Sequence, residues 1–238
     1  DQGGRPEGFR SPRPTPLRQG RRAIQIPFHS TFESIWEYRD AFKSRKIDFL
    51  SVIGSTCPLC GERDCYRQIT PYWRYAIDLF PQLEKARVPV ARFLCCKLRR
   101  TFSLLPIHLI PYVMYTVGAV VGTLLAGLGC QHLGGQGFWG AAVAVDPDSS
   151  VTPWLVFAWL KMVLCGFQRG HRTLSRWYDM SFLTSSGNPG LWQSLGDYFQ
   201  ALGWGSDSSW LRLGDLLRRY TRETRTFLFG RPSQERRE

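Results

Sequence analysis

The stretch Cys57-Pro58-Leu59-Cys60-Gly61, followed by Cys65 and, about thirty residues on, by Cys95-Cys96, restricts this chain more than any other. Two cysteines two residues apart, with glycine directly after the second, form a tight turn that aims both sulfurs at one point. Zn²⁺ takes four soft or borderline ligands in a tetrahedron. Cys57 and Cys60 supply two, Cys95 a third, and Cys65 the fourth. A second Cys-x-x-Cys would close such a site at position 98, which is Leu98. Either Cys65 or Cys96 therefore completes the set. The competing reading of the same residues is buried or disulfide-paired cysteines.

A structural zinc site implies a small β ribbon that lacks the core to fold alone and takes folding energy from the metal. The spacing predicts strands at Tyr66–Asp78 and Val88–Leu94, with a turn near Pro81 between them. The ribbon is basic: Arg63, Arg67, Arg74, Arg92, Arg99 and Arg100 interleave with Tyr66, Tyr72, Trp73 and Tyr75. Arginines among exposed aromatics suit phosphate contact and base stacking. Most of those aromatics are expected to pack across the hairpin instead.

The run Arg92 to Cys95, then Thr101-Phe102-Ser103-Leu104-Leu105-Pro106, then Leu109 to Tyr115, resembles a bacterial family related to insertion-sequence transposases. That family joins a cysteine ribbon to a helix-turn-helix. The Cys57 to Cys65 opening and the closing Phe227 to Gln234 are similar to it too, so the resemblance covers about residues 30 to 234. It implies DNA binding in a mobile-element context.

The 238 residues carry a formal net charge of +12, which favours an anionic partner, nucleic acid or an acidic membrane surface. Seven cysteines, clustered rather than spread, point to a reducing cytoplasm. The first twenty residues hold no apolar core of the signal-peptide kind. Residues 1–29 read as a disordered basic arm, with six Arg, four Pro and four Gly among residues 1–22. Residues 30–105 read as an N-terminal helix, capped at Ser30 or Thr31, plus the ribbon.

From Thr101 to Leu160 there is no Lys or Arg. Leu109 to Leu128 is uncharged and long enough to span a bilayer. Pro106, Pro111 and three glycines disfavour that, and a compact helical unit over residues 106–180 is expected instead. In it, Val117 to Leu128 forms a helix ended by Gly127 and Gly129. Phe138 to Val145 forms a second, with Trp139, Ala142 and Val143 inward. A third is capped by Thr152, with Pro153 at its first position. Leu155, Ala158, Trp159 and Met162 face the core, as do Cys130 and Cys165. This is the order of a helix-turn-helix reader. Val156 and Phe157 stand where polar side chains should touch bases, which argues against sequence-specific readout. Thr152 and Lys161 are the candidate base contacts, and Arg169, Arg172 and Arg176 the phosphate contacts. Residues 181–238 read as C-terminal helices and a charged tail.

Catalytic chemistry is not expected. Three carboxylates holding two metals are needed for strand transfer, and the acidic residues here are sparse and scattered. The fold class expected is α+β, mainly α: a small β zinc ribbon followed by a helix-turn-helix-like domain. The function expected is non-enzymatic DNA binding with structural Zn²⁺. The alternatives are a protein-interaction module docking through residues 104–167, and membrane attachment through residues 109–128; a protein partner or a homo-oligomer is a further partner expectation, with no surface assigned to it.

Overall fold

The computed structural model describes residues 24–28, 32–132, 137–184, 190–204 and 209–230. The fold is α+β and mainly α. A four-stranded sheet has the order β1-β4-β3-β2, with β1 at Ile24–Phe28, β2 at Tyr66–Asp78, β3 at Glu84–Cys95 and β4 at Arg100–Pro106. β2, β3 and β4 run antiparallel in sequence, and β1 joins β4 in parallel.

β1 and β4 both differ from expectation. β1 falls inside the stretch read as a disordered arm; Ile24 to Phe28 instead pair with Phe102 to Pro106. The Thr101–Pro106 string is a central strand, with Phe102, Leu104 and Leu105 buried. The rest of the arm, Ser30 and Thr31 lie outside the described residues. The first helix, α1 at Ile35–Lys43, is capped by Ser34, whose Oγ accepts from Glu37 N at 3.1 Å. A second short helix, α2 at Phe49–Ile53, is capped by Asp48. Phe28, Tyr38, Phe42 and Phe49 meet at ring distances of 5.3–5.9 Å and pack α1 and α2 against the sheet.

The remaining helices form a second core. α3 spans Val117–His132, α4 Gly137–Val143, α5 Pro153–Leu174, α6 Leu191–Ala201 and α7 Ser209–Thr224. Ile77 and Leu79, at the end of β2, reach into this core and join the two layers. Leu109 to Thr116 is a loop rather than helix, and among the described residues no helix is long and apolar enough to cross a membrane. The uncharged stretch is buried protein core: Val117, Val120, Val121 and Leu124 are within 3% of full burial.

Several packing expectations are corrected. α3 continues past Gly127, which does not end it; a Cβ there would lie 2.5 Å from the Trp192 ring and 2.8 Å from Ala141. Glycine permits that close approach of α3 to α4 and α6. α4 packs through its small residues Gly140 and Ala141, so Trp139 and Val143 point outward, 69% and 75% exposed. On α5, Thr152 Oγ1 accepts from Leu155 N at 3.2 Å and Pro153 starts the helix, as the sequence predicts. Val156 is core, whereas Ala158 and Cys165 are exposed.

Candidate metal centre and basic surface

The knuckle forms because its backbone closes on itself. Gly61 N donates to Cys57 O at 2.9 Å and Cys57 N to Glu62 O at 2.8 Å. Gly61 takes φ +75°, where a side chain is strained. Asp64, also left-handed at φ 51°, donates its N–H to Ser55 O and returns the chain toward β2. Cys65 therefore sits directly before β2, while Cys95 ends β3 across from Tyr66.

The Sγ atoms of Cys57, Cys60, Cys65 and Cys95 all lie within 4.8 Å of one another and can hold a metal ion. Cys65 to Cys95 is 3.8 Å and Cys60 to Cys95 is 3.7 Å. A tetrahedron of thiolates at about 2.3 Å from its metal has S···S edges of about 3.8 Å. The shortest pair, Cys60 to Cys65 at 2.9 Å, is still far beyond the roughly 2.05 Å of a disulfide. All seven cysteines are free thiols. Cys96 is exposed and outside the cluster, so Cys65 is the fourth member.

Leu98 stands where a fourth cysteine would close a second knuckle, yet its backbone serves the site. Leu98 N donates to Cys95 Sγ at 3.3 Å, helped by the left-handed turn at Arg99, φ 52°. The hydrogen bond from Cys60 to Cys65, then burial, then contacts with Cys57 and Cys95 push the Cys65 thiol up. Four crowded thiols resist losing protons without a cation among them; a bound dication reverses that balance. Lys97 pairs with Glu62 at the rim, and that carboxylate pushes the Lys97 ammonium up. An ion held by all four cysteines in a tetrahedron would have no position open for substrate or water.

The sheet gathers arginines at the same end. Arg100 lies across from Cys95, Arg67 across from Leu94, and Arg92 across from Ile69. Strand alternation puts Arg67 and Arg92 on one sheet face, opposite the buried Phe93. Arg63 is in the knuckle loop and Arg99 in the turn after Cys95. Arg63, Arg67 and Arg99 are exposed, Arg92 and Arg100 half-buried, and none of the five is in an ion pair among the described residues.

The other predicted contacts are placed differently. Arg74 turns inward: its Nη2 donates to Ile110 O at 3.3 Å and to Val113 O, and burial lowers its pKa. Arg169 Nη2 donates to Gly230 O at 2.8 Å and Leu228 O at 3.3 Å, tying the C-terminal segment to α5. Arg176 pairs with Glu223 at 2.7 Å. The Thr152 hydroxyl is a cap, and Lys161 Nζ lies 4.6 Å over the Phe157 ring. Thr152 to Arg176 covers about 36 Å along a helix axis, so Thr152, Lys161, Arg169, Arg172 and Arg176 do not form one patch. Of these, Arg172 alone is an exposed arginine without a polar partner among the described residues.

The arginine cluster at the metal end was legible only once the register was known. All five are among the basic ribbon residues read from the sequence, but their placement at the metal end follows from the strand pairing. Comparison with protein-family models, with curated proteins and with solved structures found no match.

Proposed function

We propose that this chain is a non-enzymatic DNA-binding protein whose β layer is held by a structural zinc ion. Cys57, Cys60, Cys65 and Cys95 would hold the ion. Zn²⁺ is favoured over harder cations by an all-sulfur ligand set. The observation that carries the reading is that Arg63, Arg67, Arg92, Arg99 and Arg100 all lie at the metal end of the β layer, Arg67 and Arg92 on one sheet face and Arg100 on the face of Cys95, with none of them in an ion pair among the described residues. A surface of unneutralised guanidinium groups on a chain of net charge +12 fits a phosphate backbone. The contact surface is then the ribbon rather than α5, whose Arg169 and Arg176 are occupied within the protein. Reduced cysteines fit a cytoplasmic setting. The mobile-element connection implied by Thr101 to Pro106 belongs to the same proposal.

The test is duplex DNA binding across a salt series. Binding that weakens steeply with salt, with a slope reduced by about one for each of Arg67→Ala and Arg99→Ala, supports the reading. A salt-independent affinity, or one indifferent to both substitutions, contradicts it. A second reading, docking of a protein through residues 104–167, is favoured by the outward Trp139, Val143 and Trp154.

A further inference from the structure

Three large apolar side chains stand out at one corner of the helical layer. Trp139, Val143 and Trp154 are 69%, 75% and 76% exposed. Trp139 and Val143 are four apart on α4 and share a face. Phe157 links α4 to α5: its ring is 5.5 Å from Phe138 and 5.5 Å from Trp154. Ala158, small and exposed, lies one turn after Trp154 on the same face of α5. Isolated exposed apolar residues need no explanation, but a pair on α4 and a tryptophan on the helix that α4 packs against are more than that.

The charges around the corner say what fits it. Asp148 is exposed just before α5, and Lys161 is exposed two turns after Trp154. Neither is in an ion pair among the described residues. Opposite charges thus flank the apolar row at opposite ends. A nucleic acid would meet Asp146 and Asp148 beside the indole, and an acidic partner would leave Lys161 alone to attract it. A second copy of the chain, turned antiparallel about a two-fold axis, satisfies both ends at once. Asp148 then meets the partner's Lys161, Lys161 the partner's Asp148, and Trp154 the partner's Ala158. Such self-complementarity is what an isologous interface requires.

We propose that the α4–α5 corner is a homodimer interface centred on Trp154. Each buried tryptophan hides on the order of 200 Å², so four indoles from two copies supply roughly half of a standard interface of about 1,600 Å². A weak, concentration-dependent dimer is expected. Added salt screens both the Asp148–Lys161 pairs and the repulsion between two chains of net charge +12, so the substitutions rather than the salt response read the contact.

Sedimentation equilibrium of the nucleic-acid-free full chain tests this, over a concentration series at low and high salt. The expected result is a monomer–dimer equilibrium that weakens at least about tenfold in Trp154→Glu. Because Trp154 is on the surface, circular dichroism should show that variant folded. Lys161→Glu should weaken the dimer, and Asp148→Lys with Lys161→Glu should restore it. A wild type that stays monomeric throughout, a dimer untouched by Trp154→Glu, or charge substitutions that act independently would each overturn the proposal.

Discussion

The backbone N–H of Cys96 donates to the carbonyl oxygen of Cys65 at 2.7 Å. This one bond fixes the start of β2 beside the end of β3. It brings Cys65 and Cys95 together while leaving the Cys96 side chain outside, so neighbours in sequence have opposite roles.

Cys65→Ser should therefore remove metal and unfold the β layer, whereas Cys96→Ser should keep both. Circular dichroism with a chelator titration measures the difference. Structural sites contribute folding free energy directly, so chelation of the wild type should reproduce the Cys65→Ser state. A Cys96→Ser variant that loses metal would return the fourth position to Cys96.

Arg74 is a structural residue on this account, not a DNA contact. Arg74→Met removes donors to Ile110 O and Val113 O, which hold the loop ahead of α3. The expected loss is about 1–3 kcal/mol of stability, read by urea unfolding, with no change in the salt slope of DNA binding. Unchanged stability with weakened DNA binding would reverse the assignment.

Gly166 and Gly214 should respond in opposite ways to alanine. A Cβ at Gly166 would lie 2.5 Å from Leu228 O and 2.8 Å from the Phe229 ring. The backbone there must move, at about 1–3 kcal/mol. At Gly214, on α7, the nearest atom is the Arg218 guanidinium at 3.5 Å. Gly214→Ala should raise stability by up to about 1 kcal/mol through helix propensity. Thermal unfolding of both variants checks the pair.

His108 supplies a pH dependence. Its Nε2 lies 2.9 Å from Phe32 O, and burial lowers its pKa, with the Arg218 charge adding to this and Glu37 opposing it. A folded pKa below the unfolded value means the unfolded chain binds the extra proton. The His108 contribution is thus present above the ordinary histidine value of about 6.5 and lost as pH falls below it. Between about pH 7 and pH 5, His108→Gln should lose less stability than the wild type. Equal losses in urea unfolding would show that His108 takes up its proton alike in the folded and unfolded states.

The sequence was most readable where a local chemical rule decides the structure. The Cys57 to Gly61 turn, the β2–β3 hairpin and the Thr152–Pro153 helix start are all of that kind. β1 and β4 were not read because their pairing is non-local: Ile24 to Phe28 find partners nearly eighty residues on. β4 also lacks alternation, being a central strand covered on both faces. Trp139 was expected inside because it is large and apolar, yet Gly140 and Ala141 let α4 approach α3 closely and so claimed the buried face. The roles of Arg74 and Arg169 depend on loop carbonyls that no spacing reveals. At the site, the four ligands were readable as a set with one position open, and the sheet register closed it.

The most direct measurement is elemental analysis of the purified chain beside its Cys65→Ser variant. The account predicts one zinc per wild-type chain, absent from the variant together with its β-layer fold. A metal-free wild type that is fully folded, with Cys65→Ser equally stable, would contradict it.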